Sequence, residues 1–119
     1  MSVLYLFSDG NSDNMFNYDE AERMIQMAKE KLDPKLMIVF GSVARGTANE
    51  DSDLDIIVVK ESDEDGLIRS AKARRALEDS KIPIDIIVYT PEEFKLRLTS
   101  KYSLPYEALA TGKIVYGSV

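Results

Sequence analysis

Apolar residues recur along the chain with two periods, one typical of helices and the other of buried strands. Over residues 19–32 they fall three or four positions apart, which predicts an amphipathic helix that ends before Pro34. Three further segments are almost continuously apolar, which predicts core strands, and apolar residues on both faces of the second predict a central strand covered on both sides. These strands cover residues 36–40, 53–59 and 82–89. Near the N-terminus, residues 3–7 predict a short strand and residues 8–17 predict a loop.

The helix predicted after the second of these strands begins at Ser62, because the three acidic residues that follow favour the N-terminal end of a helix. It extends to about residue 79. Its apolar residues are expected to pack against the sheet, and they are Leu67, Ile68, Ala71 and Leu77. Its basic residues, Lys72, Arg74 and Arg75, are interpreted as a solvated face because acidic residues flank them at both ends.

Two shorter helices and a strand complete the pattern. Thr90 can form a capping box with Glu93, and proline occupies the first helical position, so a helix is predicted from there to about residue 99. Ser103 begins a final short helix, which ends before an edge strand predicted over residues 113–116. This order of elements predicts an α/β fold in which helices flank one small sheet.

Composition excludes several classes of site. The chain has 119 residues, of which 45% are hydrophobic and 30% charged, and it is expected to form a single domain over residues 1–119. Its net charge of −6 argues against broad, sequence-independent binding of nucleic acid. It contains no Cys and no His, which excludes disulfides, Cys-ligated zinc and every site that uses His. No apolar stretch approaches the ~20 residues that span a bilayer, so we expect a cytoplasmic protein without membrane contact.

Two aspartates at the head of the strand over residues 53–59 are the strongest chemical signal. Asp53 and Asp55 are two positions apart, so their side chains project to one face, roughly 6–7 Å apart. Such a pair normally needs a compensating positive charge, and oxygen ligands suit Mg²⁺. Upstream, the turn Gly41-Ser42-Val43-Ala44-Arg45-Gly46, expected to open one helical turn, can bring backbone N–H groups up to a phosphate. A metal beside a phosphate predicts phosphoryl or nucleotidyl transfer.

A third carboxylate, Asp85, lies within the apolar strand over residues 82–89. A charged residue inside such a strand is costly unless it is paired or bound to a metal. If this strand is a neighbour of the one that carries Asp53 and Asp55, the three carboxylates converge. Such a set can hold one or two Mg²⁺ ions and orient a hydroxyl nucleophile.

Together these motifs resemble the DNA polymerase beta-like nucleotidyltransferases, and among them the minimal members called MNT proteins. The matching residues are Gly41-Ser42-Val43-Ala44-Arg45-Gly46, then Ser52-Asp53-Leu54-Asp55, then Asp85, with ten residues between Ser42 and Asp53. The resemblance covers residues 19–116, the family core, while residues 1–17 lie outside it as an additional strand and loop. It implies the family's palm fold, a small mixed α/β (α+β) sheet flanked by helices.

The resemblance also implies how a nucleotide is held. Gly41 and Ser42 would bind the triphosphate of an NTP, with ATP as the first candidate. Arg45 would support the phosphates or anchor the turn to the aspartates. Many relatives carry Arg where this chain has Val43, so one phosphate contact of the family is missing here.

The metal ligands implied by the resemblance are the three aspartates. Asp53 and Asp55 would hold the Mg²⁺ that also contacts the triphosphate. Asp85 would ligate a second metal ion and help to deprotonate the attacking hydroxyl, and Mn²⁺ could substitute for Mg²⁺. The implied reaction transfers a nucleoside monophosphate to a hydroxyl of an RNA or protein acceptor and releases pyrophosphate.

The expected partners follow from the same resemblance. The sequence shows no additional helical domain for an acceptor, so the acceptor would be held by a second copy in a homo-oligomer or by a separate protein, or would be the partner itself. MNT proteins are commonly paired with HEPN-type partners in toxin–antitoxin systems, where they act as the antitoxin. An HEPN-type partner is therefore the expected context.

Other interpretations remain at this stage. The chain could be a non-catalytic binding protein that neutralises its partner by occlusion, or a metal-dependent nuclease, although hydrolysis does not need the triphosphate-binding turn. Asp53 and Asp55 could lie at a solvated strand end, and Asp85 could be a structural residue bonded to Lys or Arg. Arg45 could form a structural salt bridge.

Overall fold

The computed structural model describes residues 16–119. Within this range the chain forms five helices and four strands. In chain order they are α1 (Tyr18–Leu32), β1 (Leu36–Phe40), α2 (Gly41–Arg45), β2 (Leu54–Val59), α3 (Gly66–Ala76), β3 (Ile84–Tyr89), α4 (Pro91–Arg97), α5 (Leu104–Thr111) and β4 (Lys113–Gly117). The strand predicted over residues 3–7 and most of the loop predicted over residues 8–17 lie outside the described residues.

The four strands form one mixed sheet in the order β3-β2-β1-β4. β2 is parallel to β3 and antiparallel to β1, and β4 is antiparallel to β1. The register pairs Phe40 of β1 with Asp55 of β2, and Asp55 with Asp85 of β3. The predicted fold class, a small mixed sheet flanked by helices, is confirmed. Among the described strands, β4 lies at one edge as predicted.

Two hydrophobic clusters cover the two faces of the sheet. Ile56 and Val58 of β2 pack on one face with residues of α1 and α3. Ile57 and Val59 pack on the other face with Phe94 of α4 and with a residue of α5. Because successive residues of a strand point to opposite faces, this double covering explains the unbroken apolar run of β2. The same alternation places Asp55 at the polar end of the face covered by α4 and α5.

A buried carboxylate connects α1 to the segment that leads into β3. Glu20 accepts hydrogen bonds from Arg23, at 2.7 and 2.9 Å, and from the backbone N–H of Lys81, at 2.7 Å. The bonds from Arg23 and Lys81 lower the pKa of Glu20 to about 2. This anchor holds the start of β3, the strand that carries Asp85, against the first helix.

The start of α3 differs from the prediction. The helix begins at Gly66, with the carboxylate of Asp65 accepting the N–H of Leu67 at 2.9 Å. Ser62 instead accepts the N–H of Glu64 at 3.0 Å in a local turn. Several consecutive polar residues could each cap a helix, and the last of them does so here.

The buried face of α3 also differs from the prediction. Leu67 and Ile68 were expected to pack against the sheet, but they are 83% and 49% exposed. Arg69 and Ser70 are buried in their place, and Ser70 Oγ accepts the N–H of Val88 at 3.1 Å. Ala73 and the predicted Leu77 are buried in the hydrophobic cluster, so hydrogen bonding at the outer edge of the sheet and apolar packing together set the buried face of this helix.

The later helix boundaries agree closely with the sequence pattern. Thr90 and Glu93 form the predicted capping box, with hydrogen bonds of 3.2 and 2.9 Å. Ser103 caps α5 by accepting the N–H of Tyr106 at 3.2 Å. Within the described residues, no helix is both long and apolar enough to cross a membrane.

Candidate active site

The three predicted aspartates lie at one end of the sheet. Asp55 lies on β2, between Phe40 of β1 and Asp85 of β3. Neighbouring strands are about 4.8 Å apart and paired residues of parallel strands point to the same face, so the Asp55 and Asp85 carboxylates face the same side. Asp53 directly precedes β2 and is exposed, as is Asp85, whereas Asp55 is half-buried. The structure therefore brings the two strand positions together in register.

Gly41 lies directly against Asp55. It begins α2 immediately after β1, with a φ of 74° that side chains rarely tolerate. A Cβ atom at this position would collide with Oδ2 of Asp55 and lie 3.2 Å from its Cγ. Only glycine satisfies both the backbone conformation and the contact. The turn is therefore more than a change of chain direction, because it brings bare backbone to the carboxylate.

The remaining residues of α2 are held in place by packing and by hydrogen bonds at the end of the helix. Val43 is fully buried in the cluster shared with α1 and α3. At position 43, where many relatives carry Arg, this chain therefore has a packing residue. Gly46 ends the helix with a φ of 76°, and the N–H of Thr47 donates to the Ser42 carbonyl at 3.0 Å. The packing of Val43, this hydrogen bond and the bond from the Gly46 N–H to the Val43 carbonyl at 3.2 Å fix the position of the turn.

The electrostatics of the site are dominated by like charge. Burial, the Asp85 carboxylate and the Asp53 carboxylate together raise the pKa of Asp55 to about 6, and Arg45 acts weakly in the opposite direction. Within residues 16–119, neither a hydrogen-bond donor nor a salt-bridge partner contacts any of the three carboxylates. The interpretation of Asp85 as a paired structural residue thus finds no partner in this range, and Arg45 is exposed. The site is one that a cation would stabilise.

The donor set matches the chemistry of a hard divalent cation. The candidate ligands are carboxylate oxygens alone, and the backbone of Gly41 lies directly against the Asp55 carboxylate. In the described part of the chain, no group of three or more His, Cys, Asp or Glu residues has a geometry that could hold a metal ion by itself. Mg²⁺ typically uses one or two carboxylates together with water and substrate phosphates, so an all-protein cage is not required for it.

Sequence reasoning missed Arg69, although this residue organises the region beside the site. Arg69 is buried, forms an ion pair with the Glu93 carboxylate, and donates from Nη1 to the Glu64 carbonyl at 2.6 Å. Its partner Glu93 is 24 residues away in the sequence. The signal in the sequence is weak: Arg69 and Ser70 interrupt the apolar spacing of the helix where a buried face was expected.

Comparison with known protein families identifies the family of this chain. A family model described as the nucleotidyltransferase domain matches residues 21–107, a span that contains Gly41, Ser42 and all three aspartates. No curated protein matches the sequence at a significant level.

Two solved structures with a similar fold are toxin–antitoxin proteins. A chain of a toxin–antitoxin solved with AMP-PNP superposes with a TM-score of 0.53 at 23% identity, covering 87% of this chain and 75% of that chain. A chain of the toxin–antitoxin MntA-HepT gives a TM-score of 0.50 at 20% identity, covering 86% of this chain and 74% of that chain. At these identities the likeness establishes the fold.

Proposed function

This chain belongs to the nucleotidyltransferase domain family. We propose that it transfers a nucleoside monophosphate from an NTP to a hydroxyl of an RNA or protein, with ATP as the first candidate for the NTP. The predicted resemblance and the predicted enzyme class are confirmed by the family match. The observation that carries the detailed proposal is the convergence of Gly41, Asp55 and Asp85 at one end of the sheet.

In this proposal the start of α2 holds the triphosphate. Gly41 exposes backbone where a side chain would collide with Asp55, and Ser42 follows it, half-exposed. Backbone N–H groups in such a turn can donate to phosphate oxygens. Arg45 is exposed near the carboxylates and adds a positive charge to the same side.

The proposed cofactor is Mg²⁺, with Mn²⁺ able to replace it. Asp53 and Asp55 would hold the ion that accompanies the triphosphate, and Asp85 would contribute to a second ion. A bound cation would supply positive charge that stabilises both the phosphates and the mutually repelling carboxylates. The uncompensated charge around Asp55 supports this assignment.

Asp85 is proposed to act on the acceptor. Its exposed carboxylate can accept the proton of an acceptor hydroxyl that approaches from solvent. The hydroxyl oxygen then forms a bond to the α-phosphorus, the bond between that phosphorus and the bridging oxygen to the β-phosphate breaks, and pyrophosphate leaves. The proton ends on Asp85 and is returned to water.

The biological setting proposed is that of an antitoxin. Two solved structures with this fold are toxin–antitoxin proteins, and one of them contains AMP-PNP. By extension this chain would pair with an HEPN-type partner and inactivate it by nucleotide transfer. The competing hypothesis is neutralisation by occlusion, in which the site contributes nothing.

Thermal melting tests the nucleotide site without knowledge of the acceptor. Wild-type protein, Asp55→Asn and the control Asp51→Asn are melted with ATP, in Mg²⁺ and in excess chelator. Asp51 is an exposed residue of the preceding loop, so its substitution changes the charge equally outside the site. We expect Mg²⁺ with ATP to raise the Tm of wild-type protein and Asp51→Asn but not of Asp55→Asn. An equal shift in chelator, or in all three proteins, would refute the carboxylate site.

A further inference from the structure

A charged cavity separate from the three aspartates lies along the outer edge of β3. β3 ends the strand order, so in the described sheet its outer edge has no neighbouring strand. α3 flanks this edge from one face of the sheet and α4 from the other. The cavity between them has a volume of about 420 Å³ and is floored by residues 87–89 of β3. We refer to it as the β3 groove.

Arg69 forms the buried base of the β3 groove. Its guanidinium pairs with Glu93 and donates to the Glu64 carbonyl, while its buried Nε has no partner within residues 16–119. Glu93 also accepts the N–H of Thr90. The hydrogen bond from Arg69 and that from Thr90 lower the pKa of Glu93. The charge of this carboxylate is therefore paired with that of Arg69, which weakens its repulsion of an incoming anion.

Two further arginines line the β3 groove and remain available. Arg74 lies on α3 and Arg97 on α4, both are exposed, and neither has an ion-pair partner in the described part of the chain. The other lining acid, Asp65, accepts the N–H of Leu67 as the cap of α3. On a chain with a net charge of −6, the groove is thus a local concentration of available positive charge.

We propose that the β3 groove binds an acidic segment of the protein that accepts the nucleotide, with a carboxylate held between Arg74 and Arg97. This inference rests on the proposed function, because it makes the groove the anchor for an acceptor whose hydroxyl reaches Asp85. A strand rises about 3.3 Å per residue, so Asp85 lies about 13 Å from Tyr89 at the far end of the groove floor. An extended peptide spans that distance with about four residues.

A peptide fits the β3 groove better than an RNA strand does. RNA carries a charge at every nucleotide and needs a continuous basic stripe, whereas two available arginines suit a single anionic group. Among the described strands none pairs with the outer edge of β3, and an extended peptide can add to an edge of this kind. Because Ser70 already accepts the N–H of Val88, side-chain contacts to the arginines supply the specificity at this end.

Binding without nucleotide tests this proposal directly. The probes are a fluorescent random copolymer of Glu and Tyr, a copolymer of Lys and Tyr, and poly(A) RNA, titrated with the whole chain and followed by anisotropy. The test variant is Arg74→Glu with Arg97→Glu. The matched control is Arg75→Glu with Lys95→Glu, which makes the same charge change on the same two helices at exposed residues outside the groove. Circular dichroism verifies that both variants fold.

We expect the Glu–Tyr copolymer to bind in preference to the other probes. The groove variant should lose at least about tenfold in affinity, while the control should stay within about threefold of wild type. Equal losses in both variants, no binding of the Glu–Tyr copolymer, or groove-dependent binding of poly(A) would each overturn the proposal.

The two proposals fail separately. The shift in melting temperature caused by Mg²⁺ and ATP should be unchanged in the groove variant and in the control, since neither alters the three aspartates. If that shift is absent in wild-type protein, the proposed function fails. If the shift is present and the groove variant binds the Glu–Tyr copolymer as wild type does, the groove inference alone fails.

Discussion

Asp55 and Asp85 are paired residue for residue across the parallel strands β2 and β3. Their side chains therefore point to the same face, and burial together with the Asp85 charge raises the pKa of Asp55. The backbone of Gly41 also lies directly against the Asp55 carboxylate. A carboxylate placed between another carboxylate and a glycine turn destabilises the empty site, and a bound cation relieves that cost.

The pH dependence of the free energy of unfolding should reflect the raised pKa of Asp55. Its pKa in the folded state is about 6, above the ordinary value of 3.8, so the folded state binds its proton more tightly than the unfolded state does. Its contribution therefore becomes less favourable as pH rises from about 4 to 6 and is constant above that. The free energy of unfolding of Asp55→Asn, measured relative to wild type in urea, should grow over this interval. A difference that is flat or falls with pH would contradict the assignment.

Replacement of Gly41 should affect both stability and binding. Gly41→Ala forces a side chain into a positive φ and against Asp55, so we expect a loss of roughly 1 kcal/mol or more together with the loss of the Mg²⁺–ATP melting shift. Gly46→Ala, at a φ of 76° at the other end of α2, carries the same backbone strain without the contact with Asp55.

A double-mutant cycle isolates the contact between Gly41 and Asp55. If the collision matters, Gly41→Ala should cost less in an Asp55→Ala background than in the wild-type chain, and the coupling appears as non-additivity in denaturant unfolding. Additive effects would mean that backbone strain alone accounts for the change.

Asp85→Asn should separate transfer from nucleotide binding. Asp85 is proposed to serve the acceptor hydroxyl, so calorimetric affinity for Mg²⁺–ATP should stay within about tenfold, a difference of ~1.4 kcal/mol, while transfer is lost. Asp53→Asn and Asp55→Asn should lose both. Full transfer activity in Asp85→Asn would show that this carboxylate is structural.

Ionised Glu20 should stabilise the protein at neutral pH, and this contribution should be lost in acid. Its pKa is lowered to about 2 by Arg23 and the Lys81 N–H, so its stabilising contribution is present above the ordinary value of 4.5 and is lost as pH falls towards 2. Glu20→Gln should cost about 1–3 kcal/mol at neutral pH in urea unfolding, because Arg23 and the Lys81 N–H lose a buried, charged acceptor. Glu22→Gln, a change in the same turn of helix, should cost far less.

The sequence predicted those parts of the structure that depend on the local pattern of apolar and polar residues. The apolar runs over residues 36–40 and 53–59 predicted two buried strands, and the glycine-containing segment between them predicted the turn that leads from one to the other. The sequence predicted that Asp85 would join the other aspartates if its strand were a neighbour of theirs, and β3 does pair with β2 in the register that sets Asp85 beside Asp55.

The errors arose where distant contacts decide the outcome. Arg69 is buried because Glu93 reaches it from another helix, and Ser70 is buried because the edge of β3 needs an acceptor for Val88. Neither requirement is visible in the periodicity of α3, which is why Leu67 was expected inside and is found outside.

Label transfer from ATP tests most directly whether the protein transfers a nucleoside monophosphate at the site formed by the three aspartates. Wild-type protein, Asp55→Asn and Asp51→Asn are incubated with cell extract, Mg²⁺ and ATP labelled at either the α- or the γ-phosphate. We predict that macromolecules acquire α-label but not γ-label with wild-type protein and Asp51→Asn, that pyrophosphate is released in proportion, and that Asp55→Asn transfers nothing measurable. Transfer of γ-label, or wild-type rates in Asp55→Asn, would contradict the account.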